Sequence, residues 1–200
     1  GTLYTKDELT AISGVCRAYN IPLFLDGARL GYGLMSRETD VTLPDIANLC
    51  DAFYIGGTKV GALFGEAVVI TNDTLKEEFR YNIKQRGGML AKGRLLGLQF
   101  MTLFEENRYF DMAEHAAKLA EKLKEELTKM GVLFLIDSPS NQQFPILPDS
   151  VLKELSKKYV YNYQQRMDET HSAVRFCTCW ATKAENVDAL LSDIKSLLLR

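Results

Sequence analysis

The chain has 200 residues, 46% of them apolar and 25% charged, with a net charge of -2. That is an ordinary globular composition. It provides no basic field to gather nucleic acid, and no apolar run is long enough to span a bilayer. The four cysteines (Cys16, Cys50, Cys177 and Cys179) lack C-x-x-C spacing. They read as buried free thiols of a reducing cytoplasm, not as a disulfide framework.

The elements follow in chain order. Thr5 and Glu8 form a T-x-x-E capping box, which predicts a helix over 6–19. The apolar run 21–25 after it has the character of a buried parallel strand, with Asp26 at its carboxyl end. "DIANLC" reads as a short helix, "DAFYIGG" as a second buried strand, and "EAVVIT" as a third strand placed to return as a hairpin. Alternation of helix and strand argues an α/β domain with a mostly parallel sheet and one antiparallel strand.

The pattern then changes. "NDTLKEEFRYNIKQRGG" predicts a helix stopped at Gly87 and Gly88. "MLAKGRLLGLQFMTLFEEN" carries helical spacing, and a long amphipathic helix ends at Gly131 with lysines in its last turns. Short strand candidates follow: "VLFLID", "QQFPIL", "KYVYNY" and "SAVRFCTCW". In the last, Cys177 and Cys179 alternate and would share a strand face. Thr182 and Glu185 form another T-x-x-E pair, opening a terminal helix. This half reads as a smaller α+β domain. The expected division is 1–107 and 108–200.

Ligands of open α/β sheets bind beyond the carboxyl ends of the strands. Asp26 and the loop Gly57, Thr58, Lys59 both stand there, and Arg29 lies three residues past Asp26. Singly, each has a plain explanation. Asp26 before Gly27 reads as an Asx turn, Lys59 as a solvated lysine, and Arg29 as a surface charge. Together, a carboxylate and an amine at the ends of successive strands suit pyridoxal phosphate. The amine bonds to the aldehyde, and the carboxylate keeps the pyridine nitrogen protonated. Dinucleotide and Walker-type loops fit worse, since G-x-G-x-x-G is absent and "GGTKVG" has the wrong spacing. The basic stretch Lys84, Arg86, Lys92 and Arg94 lacks interleaved aromatics, so it reads as solvated, subunit-facing or phosphate-facing. A non-enzymatic α/β binding module, with Lys59 merely structural, stays open on these grounds.

"LFLDGARLGYG", "YIGGTKVGALFGEAVVI", "KQRGGMLAKGRLLGLQF" and "AVRFCTCWATKAENVDALLSDI" resemble the threonine aldolase and aromatic amino-acid β-eliminating lyase family of fold-type-I pyridoxal-phosphate enzymes. The resemblance implies a part of the large domain of that fold followed by the small C-terminal domain. It implies that Lys59 carries the Schiff base, that Asp26 faces the pyridine nitrogen, and that Thr58 and Arg29 touch the cofactor. It further implies that Arg29 and Arg175 bind the carboxylate of a small amino-acid substrate. Arg175 stands alone in an apolar run, and a structural ion pair is its other reading. The implied reaction is retro-aldol cleavage of a threonine-like substrate to glycine and an aldehyde; β-elimination and transamination are alternatives on the same scaffold. The resemblance also implies a homodimer or homotetramer. A fold of this kind is commonly built from two βαβαβ halves, so the chain is expected to be the C-terminal part of a longer one.

Overall fold

The computed structural model describes residues 1–199. They divide into two compact units. One comprises Tyr4–Met35 and Thr39–Met112; the other comprises Gly1–Leu3, Ser36–Glu38 and the residues from Ala113 onward.

The first unit opens with α1, Lys6–Ala18. Its capping box forms as the sequence predicts: the Glu8 N–H donates to the Thr5 hydroxyl at 3.2 Å, and the Thr5 N–H donates to the Glu8 carboxylate at 2.8 Å. Strand β1 covers Phe24–Leu25 alone, shorter than the apolar run that announced it. A short α2, Leu30–Leu34, follows. Helix α3, Leu43–Leu49, starts at a further capping box made by Thr42 and Asp45. Strands β2, Ala52–Gly56, and β3, Glu66–Ile70, complete a sheet of order β1-β2-β3. β1 runs parallel to β2, with Leu25 opposite Phe53. β3 returns antiparallel, from Ala52 opposite Ile70 to Gly56 opposite Glu66. Phe53 and Ile55 on β2 are buried, as the pleat requires of alternate residues facing a core.

The single helix expected over 73–86 is broken. A 3-10 turn, Asp73–Leu75, is held by the Asn72 side chain, which accepts from the Thr74 N–H at 3.0 Å. Glu78 then takes a left-handed φ of 54°, and α4 occupies Phe79–Gln85. A left-handed residue cannot continue the helical ladder, so the sequence pattern is cut there. Helix α5, Arg94–Phe104, is followed by α6, Arg108–Lys129.

The second unit packs the greater part of α6 with α7, Asp149–Leu155, and α8, Ala184–Leu198, against antiparallel strands. These strands are β4, Gln142–Gln143; β5, Ile146–Pro148; β6, Asn162–Arg166; and β7, His171–Cys177. β4, β5 and β6 all pair with β7. Leu123, Leu127, Leu147, Leu155, Val174 and Ile194 form its buried centre.

Several sequence expectations change here. "VLFLID" yields an isolated bridge between Phe134 and Pro145. Proline has no N–H to give a ladder, so "QQFPIL" splits into β4 and β5 on either side of it. The strand expected in "KYVYNY" starts later, at Asn162, and α7 was unannounced. The T-x-x-E at Thr182 does not cap α8. Lys183 is the N-cap, and the Thr182 hydroxyl accepts instead from the Cys179 N–H at 2.9 Å. Cys179 lies beyond β7. The four cysteines form no disulfide among the described residues, but only Cys50 is buried there; Cys16 and Cys179 are half-buried and Cys177 is exposed. Among the described residues, no helix is long and apolar enough to cross a membrane.

Candidate active site

The turn after β1 lies directly on β2. A Cβ built on Gly27 would sit 1.7 Å from the Tyr54 carbonyl oxygen, and one on Gly56 would sit 2.4 Å from that of Ala28. Glycine at both positions therefore brings the loops that leave β1 and β2 side by side. The Gly56 N–H donates to the Gly27 carbonyl at 3.0 Å and ties them. Asp26 leaves the first strand and Lys59 lies in the turn after the second, as the sequence placed them.

Extending the register by one residue from Leu25 and Phe53 sets Asp26 beside Tyr54. The Tyr54 hydroxyl donates to Asp26 Oδ1, and the Ala28 N–H donates to the same oxygen at 3.1 Å. Among the described residues Oδ2 has no partner. The Asp26 carboxyl is held below its usual range, chiefly by the Tyr54 hydroxyl and then by the Ala28 N–H; the charges of Lys59 and Arg29 act in the same direction. The Tyr54 phenol is pushed up to about 12, because its proton is engaged by the carboxylate. Sequence reading missed Tyr54. Its signal was strand register, which needs the pairing to be known.

Lys59 is exposed, and its amine makes no hydrogen bond or ion pair among the described residues; its carbonyl accepts from the Tyr32 hydroxyl. The loop around it is pinned by Glu66, which also escaped the sequence reading. Glu66 stands opposite Gly56 in the hairpin. Its carboxylate accepts from the Gly57 N–H and, at 2.7 Å, from the Thr58 hydroxyl. Thr58 thus spends its proton on Glu66. Arg29 is half-buried, with its guanidinium unbound among the described residues. The structure brings Asp26, Arg29, Thr58 and Lys59 together in the first unit.

Arg175 belongs to the second unit, on β7. Its Nη1 donates to Gln142 Oε1 at 3.0 Å and its Nη2 to Asn162 Oδ1 at 3.1 Å. The structural ion pair considered from sequence is not present among the described residues. His115 Nε2 donates to the Thr182 carbonyl at 2.7 Å, and His171 sits beside Asp168 at 3.1 Å.

A parallel strand pair with an ionised aspartate beyond one end and an unengaged lysine amine in the turn after the next suits a class: α/β enzymes that hold a carbonyl-bearing pyridine cofactor. The beta-eliminating lyase family matches residues 1–147, and the chain belongs to it. Enzymes of this fold, threonine aldolases and beta-eliminating lyases among them, depend on pyridoxal phosphate. The chain is 28% identical over 203 residues to the low specificity L-threonine aldolase of Pseudomonas aeruginosa, covering 99% of this chain and 57% of that protein. It is 30% identical over 200 residues to the protein of the same name from Pseudomonas sp. (strain NCIMB 10558), again with 99% and 57% covered. Against the solved structure of Leishmania major threonine aldolase the identity is 43% and the TM-score 0.96, with 99% of this chain and 58% of that chain covered. The chain therefore spans somewhat over half the length of these relatives. Its residues suit the cofactor: Asp26 keeps one oxygen free for a pyridine N–H, and Lys59 keeps its amine free for an aldehyde.

Proposed function

We propose that this chain supplies the lysine, the aspartate and the carboxylate-binding arginines of a pyridoxal-phosphate-dependent aldehyde lyase, which cleaves a threonine-like β-hydroxy amino acid to glycine and an aldehyde. The observation that carries this reading is the pairing of an unengaged Lys59 amine with an ionised Asp26 whose Oδ2 is free, on adjacent parallel strand ends. The cofactor, when bound, supplies an electron sink for the pair released at the substrate Cα. Lys59 would hold the cofactor through its amine, and Asp26 would face its pyridine nitrogen, with the Tyr54 hydroxyl keeping the Asp26 carboxyl ionised.

Arg29 and Arg175 bind the substrate carboxylate. A guanidinium fork fixes the orientation of a carboxylate, and so fixes which bond at Cα is set for cleavage. Thr58 acts through the loop that it and Glu66 hold in place. Neither histidine is assigned to proton transfer. His115 is committed to a backbone carbonyl and His171 to Asp168.

We also read the protein as cytoplasmic, which four cysteines with no disulfide among the described residues suit, and as a homodimer or homotetramer. The exposed Leu95, Leu98 and Met101 at helical spacing on α5 are compatible with a covered face.

The test is covalent. The protein is incubated with pyridoxal phosphate, reduced with borohydride, digested and mapped by mass spectrometry. Label is expected on Lys59, absent in Lys59→Ala, and not rescued by Lys59→Arg, since a guanidinium stays protonated. Stoichiometric label on another lysine would overturn the assignment.

A further inference from the structure

We propose that Gln142 and Asn162 are positioning residues, which hold the Arg175 guanidinium as a fork with its charge left uncompensated for a carboxylate. The inference rests on the reading of Arg175 as the substrate anchor and adds how that anchor is made.

Arg175 is half-buried on β7, flanked by β4 and β6. Asn162 is its directly opposed cross-strand neighbour. Gln142 is opposed to Cys177, two residues on, so it reaches Arg175 along the diagonal. Each amide gives one oxygen to one terminal nitrogen, at 3.0 and 3.1 Å. Arg175 Nε is buried with no partner. No carboxylate pairs with this arginine among the described residues.

That combination is unusual. Arginines withdrawn from water are ordinarily matched by a carboxylate, because an uncompensated charge is expensive there. Two neutral amide oxygens fix the plane of the guanidinium without neutralising it. An aspartate at 162 would have the same shape and would cancel the charge. An asparagine there suits a fork that must accept an external monocarboxylate, such as the α-carboxylate of an amino acid.

The experiment exploits that isostery. Asn162 is exposed, so Asn162→Asp leaves the core intact. Sodium acetate is titrated into the full chain while the guanidinium N–H resonances are followed by NMR, with Arg175→Gln used to assign them. Wild type should show a saturable shift at Arg175. Asn162→Asp should weaken acetate by roughly tenfold or more, the scale of one lost charge-assisted contact. Asn162→Ala, which removes the amide but adds no charge, should weaken it less. In the enzyme with cofactor, Asn162→Asp should raise KM for the amino acid by a similar factor and leave kcat within about twofold.

The order of the two variants decides the matter. A purely structural role makes Asn162→Ala at least as harmful as Asn162→Asp, and that result would overturn the proposal. So would a wild-type Arg175 that ignores acetate. An intact acetate response in a protein whose Lys59 takes no borohydride-fixed pyridoxal phosphate would support the fork while removing the lyase reading.

Discussion

Tyr109→Phe is expected to unfasten the frame of the candidate site. Tyr109 is fully buried at the start of α6. Its hydroxyl donates to the Gly56 carbonyl at 2.9 Å and accepts from the Gly31 N–H at 3.2 Å. Those two glycines sit at the end of β2, which leads into the Lys59 turn, and just past Arg29. The phenylalanine variant keeps the ring packed on Phe104 and Phe110, 5.3 and 5.4 Å away between centroids, so it creates almost no cavity. What it removes is the pair of hydrogen bonds. An orphaned buried N–H costs about 1–3 kcal/mol and the second bond contributes about 1 kcal/mol net, so the expected loss is about 2–4 kcal/mol. Urea unfolding followed by circular dichroism should show it as a midpoint lowered by about 1–2 M, for a slope near 2 kcal/mol/M. Tyr161→Phe is the control. It deletes one half-buried bond to the Leu152 carbonyl and should cost about 1 kcal/mol or less. Equal losses in the two variants, or a loss below about 0.5 kcal/mol for Tyr109→Phe, would refute the reasoning.

Two further outcomes are expected. Tyr54→Phe should raise the Asp26 pKa, read from a carboxyl carbon NMR titration, because the largest influence holding it down is the Tyr54 hydroxyl. With its folded pKa depressed, Asp26 contributes stability that is present above its unfolded pKa and lost as pH falls through the folded one; the variant should lose part of that acid-side contribution, and an unmoved titration midpoint would count against the pairing. Gly27→Ala should destabilise by more than about 3 kcal/mol, since its Cβ would overlap a β2 carbonyl oxygen at 1.7 Å, whereas Gly87→Ala, with a φ of 75° but open space around it, should cost about 1 kcal/mol; comparable melting temperatures for the two would show that the close approach is not required.

The placement of Asp26 and Lys59 was legible because it is local. Asp26 and Lys59 each follow an apolar strand, and the end of a strand is a place that hydrophobic patterning reveals. The capping box at Thr5 was legible for the same reason: both of its hydrogen bonds close within three residues. The identical pattern at Thr182 misled, because a tertiary partner, the Cys179 N–H, claimed the hydroxyl. Tyr54 and Glu66 were invisible in the sequence, for they serve Asp26 and the Thr58 loop across strand pairings that no local pattern encodes. Arg175 was visible as an oddity, a charge in an apolar strand. Whether a carboxylate or two amides would meet it depended on which strands flank β7. Periodicity and chain order therefore determined which groups this protein has at its strand ends. Register across strands distant in sequence decided which of those groups are engaged and which are left free, since hydrogen-bond partners are assigned by position in space.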